Sequence, residues 1–277
     1  MNALEKMRLT VLCWFWPQKE KDAALHRFAE QGDVAGVRFL LEKGAEANAA
    51  DGAGPQADGL PPLHRAAWKG HREVVKILLD HGAKVDLADR VGATPLHYVA
   101  EKGNVEMAKL LIAHGAKAGA ADNEGNRPLH WAASHDCPDM VGVLADAGAR
   151  VDVRNKRGRQ PLHQAAIYGR AESMDSLLAR DAKIDACDDE NWQPLHFAAL
   201  NGRREGGVLL LAHGAKPGVF DREGKTPYDV SRGNIAVLLL KAGKEWKEPE
   251  VREREALAAH LARQRKLGRM RKPAPSM

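Results

Sequence analysis

The residues best able to do chemistry here are twelve histidines, three cysteines and a recurring set of aspartates. Imidazole is a common metal ligand and the usual acid–base group near neutral pH, and thiolate is a strong ligand for zinc. Five histidines, His64, His97, His130, His163 and His196, follow Pro-Leu and stand 33 residues apart. His81, His114 and His213 each precede a Gly-Ala phrase. A metal site needs ligands that converge on a point. Equal steps lay them in a row instead, so both sets read as structural or surface residues. His135 and Cys137 are close neighbours, but two ligands without a second pair fall short of a site. Cys13, Cys137 and Cys187 are far apart, odd in number and match no ligand spacing. They read as small hydrophobes in a reducing compartment. Asp89, Asp122, Asp188 and Asp221 keep step with the histidines, which points to turn formation rather than acid–base pairing. No phosphate loop, nucleophile elbow or metalloprotease motif occurs. The expectation is a chain without catalytic residues, metal or cofactor.

The elements that position these residues repeat with them. Gly82-Ala83-Lys84, Gly115-Ala116-Lys117, Gly148-Ala149-Arg150, Asp181-Ala182-Lys183 and Gly214-Ala215-Lys216 share the 33-residue period. Within one period, Asp89-Arg90-Val91-Gly92 is a turn. Thr94 suits an N-cap, and Pro95 suits the first helical position, where a missing N–H costs nothing. A short helix follows and ends at Gly103 in the left-handed conformation. A second helix is expected from about Val105 to His114, with Met107, Ala108, Leu110 and Leu111 at core-facing spacing. The unit is turn, helix, helix and extended return.

Thr94-Pro95-Leu96-His97-Tyr98-Val99-Ala100, together with Gly82-Ala83-Lys84-Val85-Asp86, resembles the signature phrases of the ankyrin-repeat family. The resemblance covers about residues 22–243. It implies an all-α solenoid of about seven helix-turn-helix units, with β-turn or hairpin fingers and a concave binding face. It also implies that the signature histidines bond around the helix start and across to neighbouring turns. The units fall at about 22–54, 55–92, 93–125, 126–158, 159–191, 192–224 and 225–243. Residues 1–21 read as an apolar and basic arm, and 244–277 as a charged helix with a basic tail. The first unit has Ala24-Leu25-His26 in place of Pro-Leu-His, and the last begins at Thr226-Pro227-Tyr228-Asp229 with a first helix two residues short. Extra residues between Asp51 and Gly59 lengthen one finger. Asp136 and Asp181 stand where glycines belong, and Gly206-Gly207 falls inside a helix.

Positions that vary between units are free for a partner. The pair before the inter-helix glycine varies: Trp68-Lys69, Glu101-Lys102, Ser134-His135, Ile167-Tyr168 and Leu200-Asn201. The resemblance places these on the concave face. Turn tips vary too, as at Asp189-Glu190 and Arg222-Glu223. Trp192 stands where Arg159 stands one unit earlier, on a projecting turn with no apparent stacking duty. Trp68, Tyr168 and Trp192 are therefore the candidate anchors of a protein partner, with Lys69, Lys102 and Arg159 giving polar specificity. The alternative is a scatter of exposed aromatics with no partner. Tyr98, Trp131 and Phe197 directly follow a signature histidine and are assigned to the stacking core.

The net charge of +5 sits at the ends: 1–21 carries +2 and 244–277 carries +5, leaving −2 for the body. Leu9 to Trp16 is apolar and reads as an arm on the first unit, the alternatives being a membrane or partner anchor and a secretory signal. No stretch approaches the roughly 20 apolar residues that span a bilayer. Glu250 to Leu267 has helix formers and a modest apolar stripe. Arg263, Arg265, Lys266, Arg269, Arg271 and Lys272 make a basic run, read either as a solvated tail or as an import or nucleic-acid segment. The leading functional reading is a monomeric, intracellular protein-interaction module, cytoplasmic or nuclear. The second is a nuclear or nucleic-acid-associated factor that binds through the tail.

Two expectations follow from the departures and the aromatics. Each glycine of Gly206-Gly207 costs its helix about 0.5–1 kcal/mol against alanine. Hydrogen exchange should therefore run faster over residues 200–215 than over 105–115, and equal protection would contradict it. Replacing Trp131 with alanine should cost about 3–5 kcal/mol in urea unfolding if the ring is buried, and unchanged stability would remove it from the core.

Overall fold

Each unit is a helix pair whose ends follow local sequence rules. The structure, a computed structural model, describes residues 16–50 and 60–245. The stretch before Trp16, the extra residues 51–59 and the segment from Trp246 onward lie outside it, and with them the basic run at Arg263 to Lys272. Among the described residues there are thirteen helices and no strand. The first unit holds α1 (Gln18–Gln31) and α2 (Val34–Glu42). The next five units pair α3 (Pro62–Lys69) with α4 (Arg72–Asp80), α5 (Pro95–Lys102) with α6 (Val105–Ala113), and α7 (Pro128–Ser134) with α8 (Pro138–Asp146), then α9 (Pro161–Tyr168) with α10 (Ala171–Leu178), and α11 (Pro194–Leu200) with α12 (Arg204–Ala212). The chain then enters α13 (Ile235–Glu245). Trp16, the one described residue of the apolar stretch, packs against the core.

Proline opens α3, α5, α7, α9 and α11 at the first helical position, as its fixed φ favours. Gly70, Gly103 and Gly169 close three of them with φ of 82°, 67° and 72°. Asp136 and Asp181 adopt the same region, at φ 56° and 63°, and so does Asn191, at 62°. Aspartate and asparagine tolerate it better than most residues do. Asp136 gains a contact in return, because its carboxylate accepts the Ser173 N–H at 3.1 Å.

The first helices pack in one row, α3 on α5, α5 on α7, and onward to α11. The second helices form a second row, with α6 on α8 and α8 on α10. Leu63, Leu96, Leu129, Leu162 and Leu195 are buried between units, as are Met107, Met140 and Met174. Each such side chain stabilises the stack by about 1.5–3 kcal/mol, and no unit could bury it alone. Gly206 and Gly207 have a packing reason that the sequence does not reveal. A Cβ at Gly206 would lie 2.6 Å from Met174 Cε, and one at Gly207 would lie 2.5 Å from Ile235 Cδ1. The pair lets α12 approach both neighbouring units.

The seventh unit departs from expectation. No shortened first helix forms there; residues 227–230 make only a turn. A single long bond of helical span, Val230 N–H to Thr226 O at 3.3 Å, is too little to propagate a helix. Asp229 replaces the signature histidine and accepts from the Thr226 hydroxyl at 2.7 Å and its N–H at 2.8 Å.

Four of the five signature histidines join their unit to the next, while His196 Nε2 forms no such bond among the described residues. Nδ1 accepts the N–H of the helix N-cap: Thr94 to His97 at 3.0 Å, Arg127 to His130 at 3.0 Å, Gln160 to His163 at 3.1 Å and Gln193 to His196 at 3.2 Å. Nε2–H donates to a carbonyl 29 residues on: Ala93 from His64, Asn126 from His97, Arg159 from His130 and Trp192 from His163, at 3.0–3.2 Å. A carbonyl only accepts, so these rings carry their proton on Nε2. His64 has no N-cap donor for Nδ1, because Pro61 supplies no N–H.

Burial holds His64, His130 and His163 down at about 4, from an ordinary 6.5. It lowers His97 and His196 as well. Between about pH 4 and 6.5 the unfolded chain therefore binds protons that the folded chain excludes. Stability is full above about pH 6.5 and is lost as pH falls through this window. Each fully titrating histidine contributes a slope on the order of 1 kcal/mol per pH unit. Urea unfolding should show a flat profile above about pH 7 and a drop of several kcal/mol by about pH 5. An unchanged midpoint across that range would contradict the neutral, buried ladder.

Candidate functional site

The finger turns and the first helices share one face of the stack. Each finger closes on itself, as Asp89 N–H bonds Ala93 O at 2.9 Å and Gly92 N–H bonds Asp89 O at 3.0 Å. Successive fingers are joined by single backbone bonds: Asn123 N–H to Val91 O, Lys156 to Glu124, Asp189 to Arg157, and Arg222 to Glu190, at 2.8–3.2 Å. The finger aspartate holds its turn through one oxygen. Asp122 Oδ1 accepts from Glu124 and Asn126 N–H at 2.9 and 2.8 Å, and Asp188 Oδ1 accepts from Glu190 and Trp192 N–H at 2.9 Å each.

The second oxygen meets a side-chain donor on the same face. Tyr98 O–H reaches Asp89 Oδ2 at 2.6 Å, Trp131 Nε1–H reaches Asp122 Oδ2 at 3.0 Å, and Arg159 Nε–H reaches Asp188 Oδ2 at 3.3 Å. Sequence reasoning found the turn-forming role of these aspartates and missed this one. The signal was present: Tyr98 and Trp131 both stand nine residues after their aspartate and both carry a donor.

The twelve candidate residues fall into groups. Trp68 is 37% exposed, with Lys69 Nζ 4.6 Å and Lys102 Nζ 4.9 Å from its ring centre. Both ammoniums hold the indole face by cation–π attraction, and Lys69 also pairs with Glu30 at 3.5 Å. Glu101, Ser134, His135 and Tyr168 line a second place, a cleft of about 400 Å³ that Trp131 also lines. His135 Nε2 lies 3.7 Å from Glu101, and Tyr168 is 47% exposed. Arg159, Trp192 and Leu200 line a third, a cleft of about 370 Å³. Ile167 packs partly on the core, and Asn201 is held by its own bond to Phe197 O at 2.9 Å.

Two assignments change. Trp192 does have a stacking duty: it is half-buried, 5.0 Å from the Phe197 ring and 5.7 Å from His196. Both rings belong to α11. Arg159 is engaged as well, with its guanidinium on Asp188 and 4.5 Å above Phe197. Among the aromatics assigned to the core, Phe197 is buried, while Tyr98 and Trp131 are half-buried and stack edge-on at 5.4 Å. Trp131 therefore serves the stack by hydrogen bond as well as by packing.

Among the described residues, no three His, Cys, Asp or Glu side chains converge to hold a metal ion. His81 and His114 instead bond back to Ile77 O and Leu110 O at 2.8 Å. No described helix is long and apolar enough to cross a membrane.

Comparison with known proteins agrees with this architecture. No curated protein sequence matches the chain. Among solved structures, the human ASB11 ankyrin repeat domain is similar, with a TM-score of 0.70 and 27% identity over 79% of this chain and 96% of that one. A family model described as ankyrin repeats in three copies matches residues 5–89, 84–155 and 147–221. Ankyrin repeats are generally protein–protein interaction modules, and the fold is typically non-enzymatic. The chain belongs to the ankyrin-repeat family.

Proposed function

We propose that this chain is a non-enzymatic adaptor, scaffold or inhibitor that holds a protein partner on its concave face. One observation carries the reading: Trp68 and Tyr168 are exposed near the ends of first helices three units apart, Tyr168 on the wall of a cleft. Exposed aromatics over a preformed surface are the usual anchors of an interface. The reading takes the chain as an intracellular monomer, in keeping with the free thiols of Cys137 and Cys187.

The test is affinity capture from nuclease-treated lysate, with mass spectrometry. It compares the whole chain, the Trp68→Ala/Tyr168→Ala variant and a chain ending at 244. The expected result is a protein retained by the whole chain and by the shortened one. The double variant should bind it at least about tenfold more weakly, a loss of about 1.4 kcal/mol or more. Retention that ignores the aromatics but disappears with the tail or with nuclease would overturn the reading. Binding would then belong to the basic run from Arg263 to Lys272.

A further inference from the structure

The finger aspartates give an internal series in which one member is incomplete. Asp221 Oδ1 accepts from Glu223 N–H at 2.9 Å and Lys225 N–H at 2.8 Å, as in the other fingers. Asp221 Oδ2 is buried and, among the described residues, has no hydrogen-bond partner, on a residue only 6% exposed. A buried acceptor left unmet costs on the order of 1–3 kcal/mol, more when charged.

The sequence explains the gap. Nine residues after Asp221, where Tyr98 and Trp131 stand in their units, is Val230, which has no donor. Where Arg159 serves Asp188, the corresponding residue for Asp221 is Trp192, and its ring is turned onto Phe197. Lys225 pairs with Glu223 at 2.6 Å instead. The repeat thus supplies no donor of its own here.

Asp221 forms part of the wall of the 370 Å³ cleft. Asp188, Glu190 and Glu223 also line it, against Arg159 and Arg222, so acids outnumber bases by two. Trp192 and Phe197 give it an aromatic wall. One unit earlier the chain shows what suits such a place: the Arg159 guanidinium lies on an aspartate and over an aromatic ring.

We propose that this cleft accepts an arginine side chain from a protein partner, with the guanidinium on Asp221 Oδ2 and its flat face against Trp192. Arginine fits better than lysine because its planar fork can bond a carboxylate while stacking on a ring. This deepens the concave-face reading and rests on it for the partner being a protein.

The test uses the whole chain and acetyl-Gly-Arg-Gly-amide, following the Trp192 indole N–H by nuclear magnetic resonance. That signal is assigned by its loss in Trp192→Phe. A saturable shift is expected with the arginine peptide and none with the citrulline peptide, which keeps the shape and lacks the charge. Asp221→Asn should weaken binding at least about tenfold. That variant keeps the turn, since Asn155 fills the same place two fingers earlier and accepts from Arg157 and Arg159 N–H at 3.0 Å. Trp192→Arg should abolish binding by supplying the guanidinium from within. The absence of a saturable shift, an equal response to citrulline, or undiminished binding in Asp221→Asn would overturn the proposal. If Asp221→Asn does not fold, binding retained in Trp192→Arg overturns it. Protein capture through Trp68 and Tyr168 is read separately. Its failure beside intact arginine binding would sink the broader reading alone.

Discussion

A buried neutral imidazole, bonded at both nitrogens in His97, His130 and His163, is the constraint on which this molecule depends. Nδ1 accepts the N-cap N–H of its own helix, and Nε2–H reaches a carbonyl 29 residues on. Only the neutral ring does both, since a protonated one cannot accept. The bond across units adds direction to the spacing that the packed leucines set. It also settles where the next unit's first helix begins, because the accepting carbonyl belongs to the residue just before the following N-cap. From that spacing the two helix rows and the line of fingers follow.

Regular spacing creates a second demand. Every finger aspartate spends one oxygen on its own turn and leaves the other at the base of the concave face. At three of them the chain supplies a donor, a different one each time: a phenol at Asp89, an indole at Asp122, a guanidinium at Asp188. Side-chain variety on this face is therefore partly a stacking requirement. Tyr98, Trp131 and Arg159 vary between units because several groups can serve one carboxylate. Variation alone does not mark a residue as free for a partner.

This is why the fold was legible in the sequence and the site only in part. Helix starts at Thr94-Pro95, stops at Gly103 and the burial of Leu96, Met107 and Leu111 follow from local rules repeated in phase, and the structure has them all. Contacts between a finger and the helix after it, and between units, were harder to see. Trp192 looked unoccupied because its partners, Phe197 and His196, lie over the turn only once α11 has folded back. The packing reason for Gly206 and Gly207 stayed hidden because Met174 and Ile235, which need their space, belong to other units. The seventh unit looked like a shortened helix pair, yet removing two residues left too few bonds for a first helix at all.

The charges that survive this accounting are not spread evenly. At the α3–α5 end, Trp68 carries two ammoniums on its face, Lys69 and Lys102. At the α11 end, Trp192 and Phe197 stand among Asp188, Glu190, Asp221 and Glu223. Both ends offer an aromatic surface, and the surrounding charge is opposite in sign. An extended segment lying along the face meets attraction in one direction and repulsion in the other, since like charges brought together at an interface cost several kcal/mol. Aromatic area then supplies affinity at both ends, and the order of charges selects the direction in which a partner lies.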